Sequence, residues 1–119
     1  STNQYNTLRT ESKQTVLKNS MRITCIKPNL DANLVNNSDA YWQLFLQTVS
    51  SVEQKNNDLF KIINSSKNFK TSNEIDEQIN LIRAKIKEID ADFLSLCQDK
   101  RVKCNCNQTN NNSQAENND

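Results

Sequence analysis

Seven apolar residues, Ile75, Ile79, Ile82, Ile86, Ile89, Phe93 and Leu96, follow one another at steps of four and three with no polar interruption of the stripe. That rhythm puts all of them on one side of an α-helix and is incompatible with a β-strand, whose faces alternate at every second residue. A second run, Trp42, Phe45, Val49, Val52, Asn56, Leu59 and Ile63, keeps the same spacing with one polar member. Together the runs predict two heptad-patterned helices, over about residues 39–64 and 72–97.

The stretch from Asn64 to Lys70 breaks the pattern with polar residues, and Thr71 and Glu74 then stand at the spacing of a capping box. In that motif the hydroxyl accepts an amide of the first turn and the carboxylate returns to the cap amide, so the pair marks a fresh helix start. Ser38 is the expected N-cap of the earlier helix, with Asp39 facing the positive end of its dipole. Two helices of similar length joined by a short break predict an all-α fold built on an antiparallel two-helix coiled-coil hairpin over residues 38–106.

The rest of the chain bounds this hairpin. No glycine is present and Pro28 is the single proline. Without glycine, tight hairpins and phosphate-cradling loops lose their usual residue, which disfavours β-rich folds and nucleotide sites. Residues 1–37 read as an N-terminal segment and linker. Tyr5, Leu8, Val16, Leu17 and Met21 suggest a third helix without holding one face, and Arg22–Ile26 alternates like an extended segment. Lys27 precedes proline, so any first helix is expected to end there. Leu30, Leu34 and Val35 are then linker residues that dock on a neighbour. Residues 107–119 contain nothing apolar larger than alanine and predict a disordered Asn-rich tail.

Composition argues against chemistry. Hydrophobic residues make up 34% of the chain, below the roughly 45–50% of globular proteins, so a core made within one chain is thin. Either much of the chain is solvated, or another subunit completes the stripes. Net charge is +1, without the basic excess that nucleic-acid binding needs, and Lys100, Arg101 and Lys103 read as a solvated helix end. No apolar stretch of about 18 residues is present for a membrane span. The chain has no histidine, the usual neutral-pH acid–base residue. Asp90 and Asp92 point in different directions on a helix, and no cofactor site or enzyme activity is expected.

The four cysteines, Cys25, Cys97, Cys104 and Cys106, admit three states. C-x₆-C-x-C without histidine is a poor match to structural zinc, so no metal is assigned. Free thiols in a reducing compartment imply an intracellular protein, cytoplasmic or nuclear. A disulfide from Cys25 to the C-terminal cysteines implies a secreted one, and glycosylation sequons at Asn36, Asn64, Asn107 and Asn111 point the same way. In a chain with 20 asparagines, however, such sequons arise by chance. The absence of an initiating Met implies that a Met or a longer leader has been removed.

The expected function is a non-catalytic structural or adaptor subunit whose hairpin assembles with other helical subunits, as a homo- or hetero-oligomer. The alternative is a secreted helical-bundle ligand or effector held by disulfides. Asn56, at a core position of the heptad, is expected either to set register or to mark a locally solvated stretch of helix beside Asn57 and Asp58. Trp42 and Phe45 are expected interface anchors. Leu44, Phe60, Leu81 and Leu94 stand off the seam and are further candidate partner contacts.

Overall fold

The first helix begins on a signal of the same type as the Thr71–Glu74 box. The Ser1 hydroxyl accepts from the amide of Gln4 at 3.2 Å, and the Gln4 side-chain carbonyl accepts from the Ser1 nitrogen at 3.5 Å. The computed structural model describes residues 1–36, 40–65 and 67–104, and of residues 31–36 the backbone alone. It contains α1 (Thr2–Asn36), α2 (Ala40–Asn64) and α3 (Ser72–Cys97), and no strand among the described residues. The Ser38 cap, Asp39, the side chains of Leu34 and Val35, Cys106 and the tail at 107–119 lie outside them.

Helix α1 corrects the reading of residues 1–37. It runs through Arg22–Ile26, which is helical rather than extended, and through Lys27 and Pro28 as far as Asn36. An interior proline costs about 3 kcal/mol, because it removes one helical hydrogen bond and crowds the carbonyl four residues back. Pro28 is exposed, whereas Ile26 and Leu30 on either side of it are 1% and 0% exposed. Burying each contributes roughly 1.5–3 kcal/mol, so packing outweighs the proline.

Up to Leu30, the buried positions of α1 are Tyr5, Ser12, Val16, Asn19, Ile23, Ile26 and Leu30, which recur at helical spacing. Leu17 and Met21 point away from them at 59% and 61% exposure.

Cross-links between helices give the topology. Along α1 and α2, Arg9 meets Ile63, Asn19 meets Asn56 and Lys27 meets Glu53, so the two run antiparallel. Tyr41 meets Asp99 just past α3, and Ser51 and Lys55 meet Asp92, so α2 and α3 also run antiparallel. Helix α2 is the shared middle element, while α1 and α3 touch over a shorter stretch. The all-helical expectation stands, and the third helix suggested for the N-terminal segment is present as a full-length helix packed on the other two in a three-helix bundle.

The expected seam residues lie inside this bundle. Val49, Val52, Leu59, Ile63, Ile79, Ile82, Ile89, Phe93 and Leu96 are buried, while Ile75 and Ile86 are partly buried against them. The Thr71 hydroxyl accepts from the Glu74 amide at 3.2 Å. The Glu74 carboxylate accepts from the amide of Lys70, one residue before the cap, at 2.8 Å. Phe69, in the break, sets its ring edge-on to Tyr5 with centroids 4.9 Å apart and closes that end of the bundle.

Candidate functional site: an aromatic corner beneath a disulfide-closed turn

At the start of α2, Tyr41, Trp42 and Phe45 bring three rings together. Their centroids lie 5.1–5.9 Å apart in edge or tilted arrangements, which aromatic quadrupoles favour over face-to-face stacking. Trp42 is 1% exposed and belongs to the core, Phe45 is partly buried, and Tyr41 is exposed.

The turn after α3 covers this corner. Gln98 ends the helix, the Val102 amide bonds back to the carbonyl of Asp99 at 3.0 Å, and Val102 is buried. A disulfide joins Cys97 to Cys104 with their Cα atoms 6.0 Å apart. Within the turn, Asp99 accepts from the Arg101 backbone amide at 2.8 Å and from its guanidinium at 2.8 and 3.1 Å. It accepts from the Tyr41 hydroxyl at 2.8 Å as well.

The Arg101 guanidinium lies 4.6 Å from the Trp42 centroid and 5.2 Å from that of Tyr41, within cation–π range. Arg101 is therefore engaged with the aromatic corner, contrary to the solvated helix end expected for it. Side-chain and then backbone hydrogen bonds from Arg101, joined by that of Tyr41, hold the Asp99 carboxyl well below the usual range. The bond to Asp99 in turn pushes the Tyr41 phenol up, because it favours the protonated form.

Beside this corner an open groove of about 310 Å³ runs between α2 and α3. Tyr41, Leu44, Phe45 and Thr48 line one wall, and Ser95, Gln98 and Asp99 the other. Leu44 is 60% exposed. The Asp99 charge at its end is matched by Arg101, so the groove offers apolar surface with a hydroxyl and carboxamide rim. Such a site suits an apolar side chain with a polar neighbour.

The remaining off-seam residues do not gather at the groove. Leu81 is two heptads before Ser95 and shares its edge of α3, but lies near the far end of the α2/α3 face. Phe60 is one heptad beyond Glu53, on the edge of α2 that pairs with Lys27 of α1. Leu94 is one turn beyond Asp90, whose charge acts on Arg22 of α1, so it lies on the α1 side of α3. The Arg22 guanidinium stacks 3.9 Å from the Phe93 centroid, and burial pushes its pKa down against the pull of Asp90.

Asn56 is 3% exposed and bonded to α1 instead of solvated. Its carbonyl accepts from Asn19 Nδ2 at 3.1 Å, and its own amide donates to the Val16 carbonyl at 3.2 Å and the Ser20 hydroxyl at 3.1 Å. Sequence reasoning missed Asn19 and Ser20, because nothing local marks which polar residues of α1 meet Asn56, 37 and 36 residues further along the chain.

The Cys97–Cys104 bond leaves those sulfurs without the thiolates that zinc requires. Cys25 is disulfide-bonded as well. Among the described residues no cluster of metal-ligating side chains is present, and no helix is long and apolar enough to cross a membrane. Comparison with protein-family profiles, with curated proteins and with solved structures finds no match, so this geometry alone carries the functional reading.

Proposed function

We propose that the chain is a non-catalytic binding protein: a self-contained helical bundle, held by disulfides in an oxidising compartment, that presents the Tyr41–Leu44–Phe45 groove to a protein partner. One observation carries this reading. The heptad stripes are spent within the chain on α1, α2 and α3, while Tyr41 and Leu44 remain exposed beside a covalently closed turn. Disulfides persist in secreted and extracytoplasmic proteins and are rare in the cytosol, which supports the compartment.

The second reading is an intracellular adaptor that joins other helical subunits in a larger assembly. Phe60, Leu81 and Leu94, at 54%, 43% and 65% exposure on different edges, favour it, since several neighbours are needed to cover them. Thiol titration of the native protein, combined with sedimentation at high concentration, separates the two. The disulfide-held reading expects no reactive thiols and a monomer. Reactive thiols with self-association would overturn it in favour of the adaptor. Under the disulfide-held reading, a photo-crosslinking residue at position 44 should capture a partner that one at position 60 does not.

A further inference from the structure

We propose that Asn64 carries an N-linked glycan, and that its first sugar lies against the exposed ring of Phe60. This modification rests on the disulfide-held reading, because its sugar donor works in the oxidising lumen through which secreted chains pass.

Asn64, Ser65 and Ser66 form the acceptor sequence N-x-S, whose physical context is a surface segment of a secreted chain. Asn64 meets the surface requirement. It is the last residue of α2, it is exposed, and it opens the polar break in which Lys67, Asn68 and Lys70 are exposed too. The buried asparagines Asn19 and Asn56, which bond each other, stand in no such sequence. Asn36, Asn107 and Asn111 carry the same motif, but their side chains lie outside the described residues, which leaves Asn64 as the acceptor assigned.

Phe60 is the second observation. It stands one turn before Asn64 on the same edge of α2 and is 54% exposed. Side chains four apart on a helix are neighbours, roughly 5–6 Å between Cβ atoms, and each Cα–Cβ bond tilts toward the helix N-terminus. The Asn64 carboxamide therefore leans back over the turn that carries the ring. The C–H face of a pyranose is apolar and weakly positive, which suits the negative face of an aromatic ring. Phe60 gains a cover in this way without a second subunit. Leu44 lies roughly 30 Å away along α2, so the glycan leaves the proposed groove open.

The donor is an oligosaccharide on a polyprenyl pyrophosphate. Asn64 Nδ2 attacks its anomeric carbon: a C–N bond forms, the anomeric C–O bond breaks, and the lipid pyrophosphate leaves with the bonding pair. A base of the transferase takes the amide proton, and nothing is oxidised or reduced. Transfer occurs on the chain before it folds, so the native fold has only to leave room at position 64, which an exposed helix end does.

The test uses the protein from its natural source, alkylated without reductant and then treated with peptide-N-glycosidase in heavy-oxygen water. Release of the glycan converts its asparagine to a labelled aspartate, which peptide mass spectrometry places. We expect the label at position 64 and no reactive thiol. Blocked thiols with an unlabelled Asn64 overturn the glycan and leave the disulfide-held reading standing. Reactive thiols with an unlabelled Asn64 overturn both.

For the contact with Phe60, the chain is secreted from cultured eukaryotic cells. Ser66→Ala keeps Asn64 but should abolish the label and lower the Tm by on the order of 5 °C. In a Phe60→Ala background the same substitution should leave the Tm unchanged. Label retained at position 64 in Ser66→Ala overturns the acceptor assignment, and equal falls in both backgrounds overturn the packing of sugar on ring.

Discussion

Replacing Asn56 by alanine tests the joint between α1 and α2. The side chain spends two amide hydrogens and one carbonyl lone pair on α1, through Asn19, Val16 and Ser20. Each neutral hydrogen bond contributes about 1 kcal/mol net, and the alanine also strands the Asn19 amide in a site only 4% exposed. The expected loss is about 3 kcal/mol. For a domain of this size that corresponds to a fall in Tm on the order of 10–20 °C.

Urea unfolding followed by circular dichroism, under non-reducing conditions, reads the loss as a shift in midpoint at unchanged slope. A double-mutant cycle with Asn19→Ala should return a coupling of about 1 kcal/mol, since the two residues share one bond. A loss below about 1 kcal/mol for Asn56→Ala would mean that water already serves this amide, and the argument from burial would fail. Asn56→Leu separates stability from specificity. It restores apolar volume, so a stable protein whose α1 amide resonances broaden or double would assign the asparagine to register.

Three other perturbations follow from the same geometry. Pro28→Ala restores a helical hydrogen bond and relieves the crowding of the carbonyl four residues back, together worth about 3 kcal/mol, but adds about 1 kcal/mol of freedom to the unfolded chain, so a net gain of about 2 kcal/mol is expected in thermal unfolding. The Ser12 hydroxyl is buried with no hydrogen-bond partner among the described residues, so Ser12→Ala should stabilise by about 1 kcal/mol in the same assay. The folded Asp99 carboxyl titrates below its unfolded value of about 3.9, so its contribution is present above that pH and is lost as pH falls through the folded value. Asp99→Asn should accordingly flatten the acid limb of the stability–pH curve, and an unchanged limb would place the acid sensitivity elsewhere.

Helices α2 and α3 were readable from sequence because their stripes are almost wholly apolar and their breaks carry capping chemistry. Helix α1 was not, for a physical reason: two of its core positions are Ser12 and Asn19, whose partners sit far along the chain or are absent among the described residues. Leu17 and Met21, on the opposite face, blurred the stripe further. The spacing of Val16, Ile23, Ile26 and Leu30 and the Ser1–Gln4 box were the signals that survived.

Pro28 misled because proline propensity is local, whereas the burial that overrides it comes from the tertiary fold. Trp42 and Phe45 were legible as aromatic anchors at the start of α2, and Asn56 as a core position. The partner of each was not. Tyr41 and Asp99 are 58 residues apart in the chain, and no periodicity links a helix start to a turn that distant.

The connection between α2 and α3 has a consequence for how the chain can be altered. A short polar link between helices is ordinarily where insertions, tags or new termini are tolerated. Here Phe69 locks against Tyr5, whose ring is also approached by Arg9 at 5.8 Å, and Arg9 donates to the Ile63 carbonyl at 2.8 Å. An insertion that displaces Phe69 would therefore loosen the opening turns of α1 as well as the turn it occupies. Chain length in this connection is fixed by a ring contact and not by the distance between two helix ends.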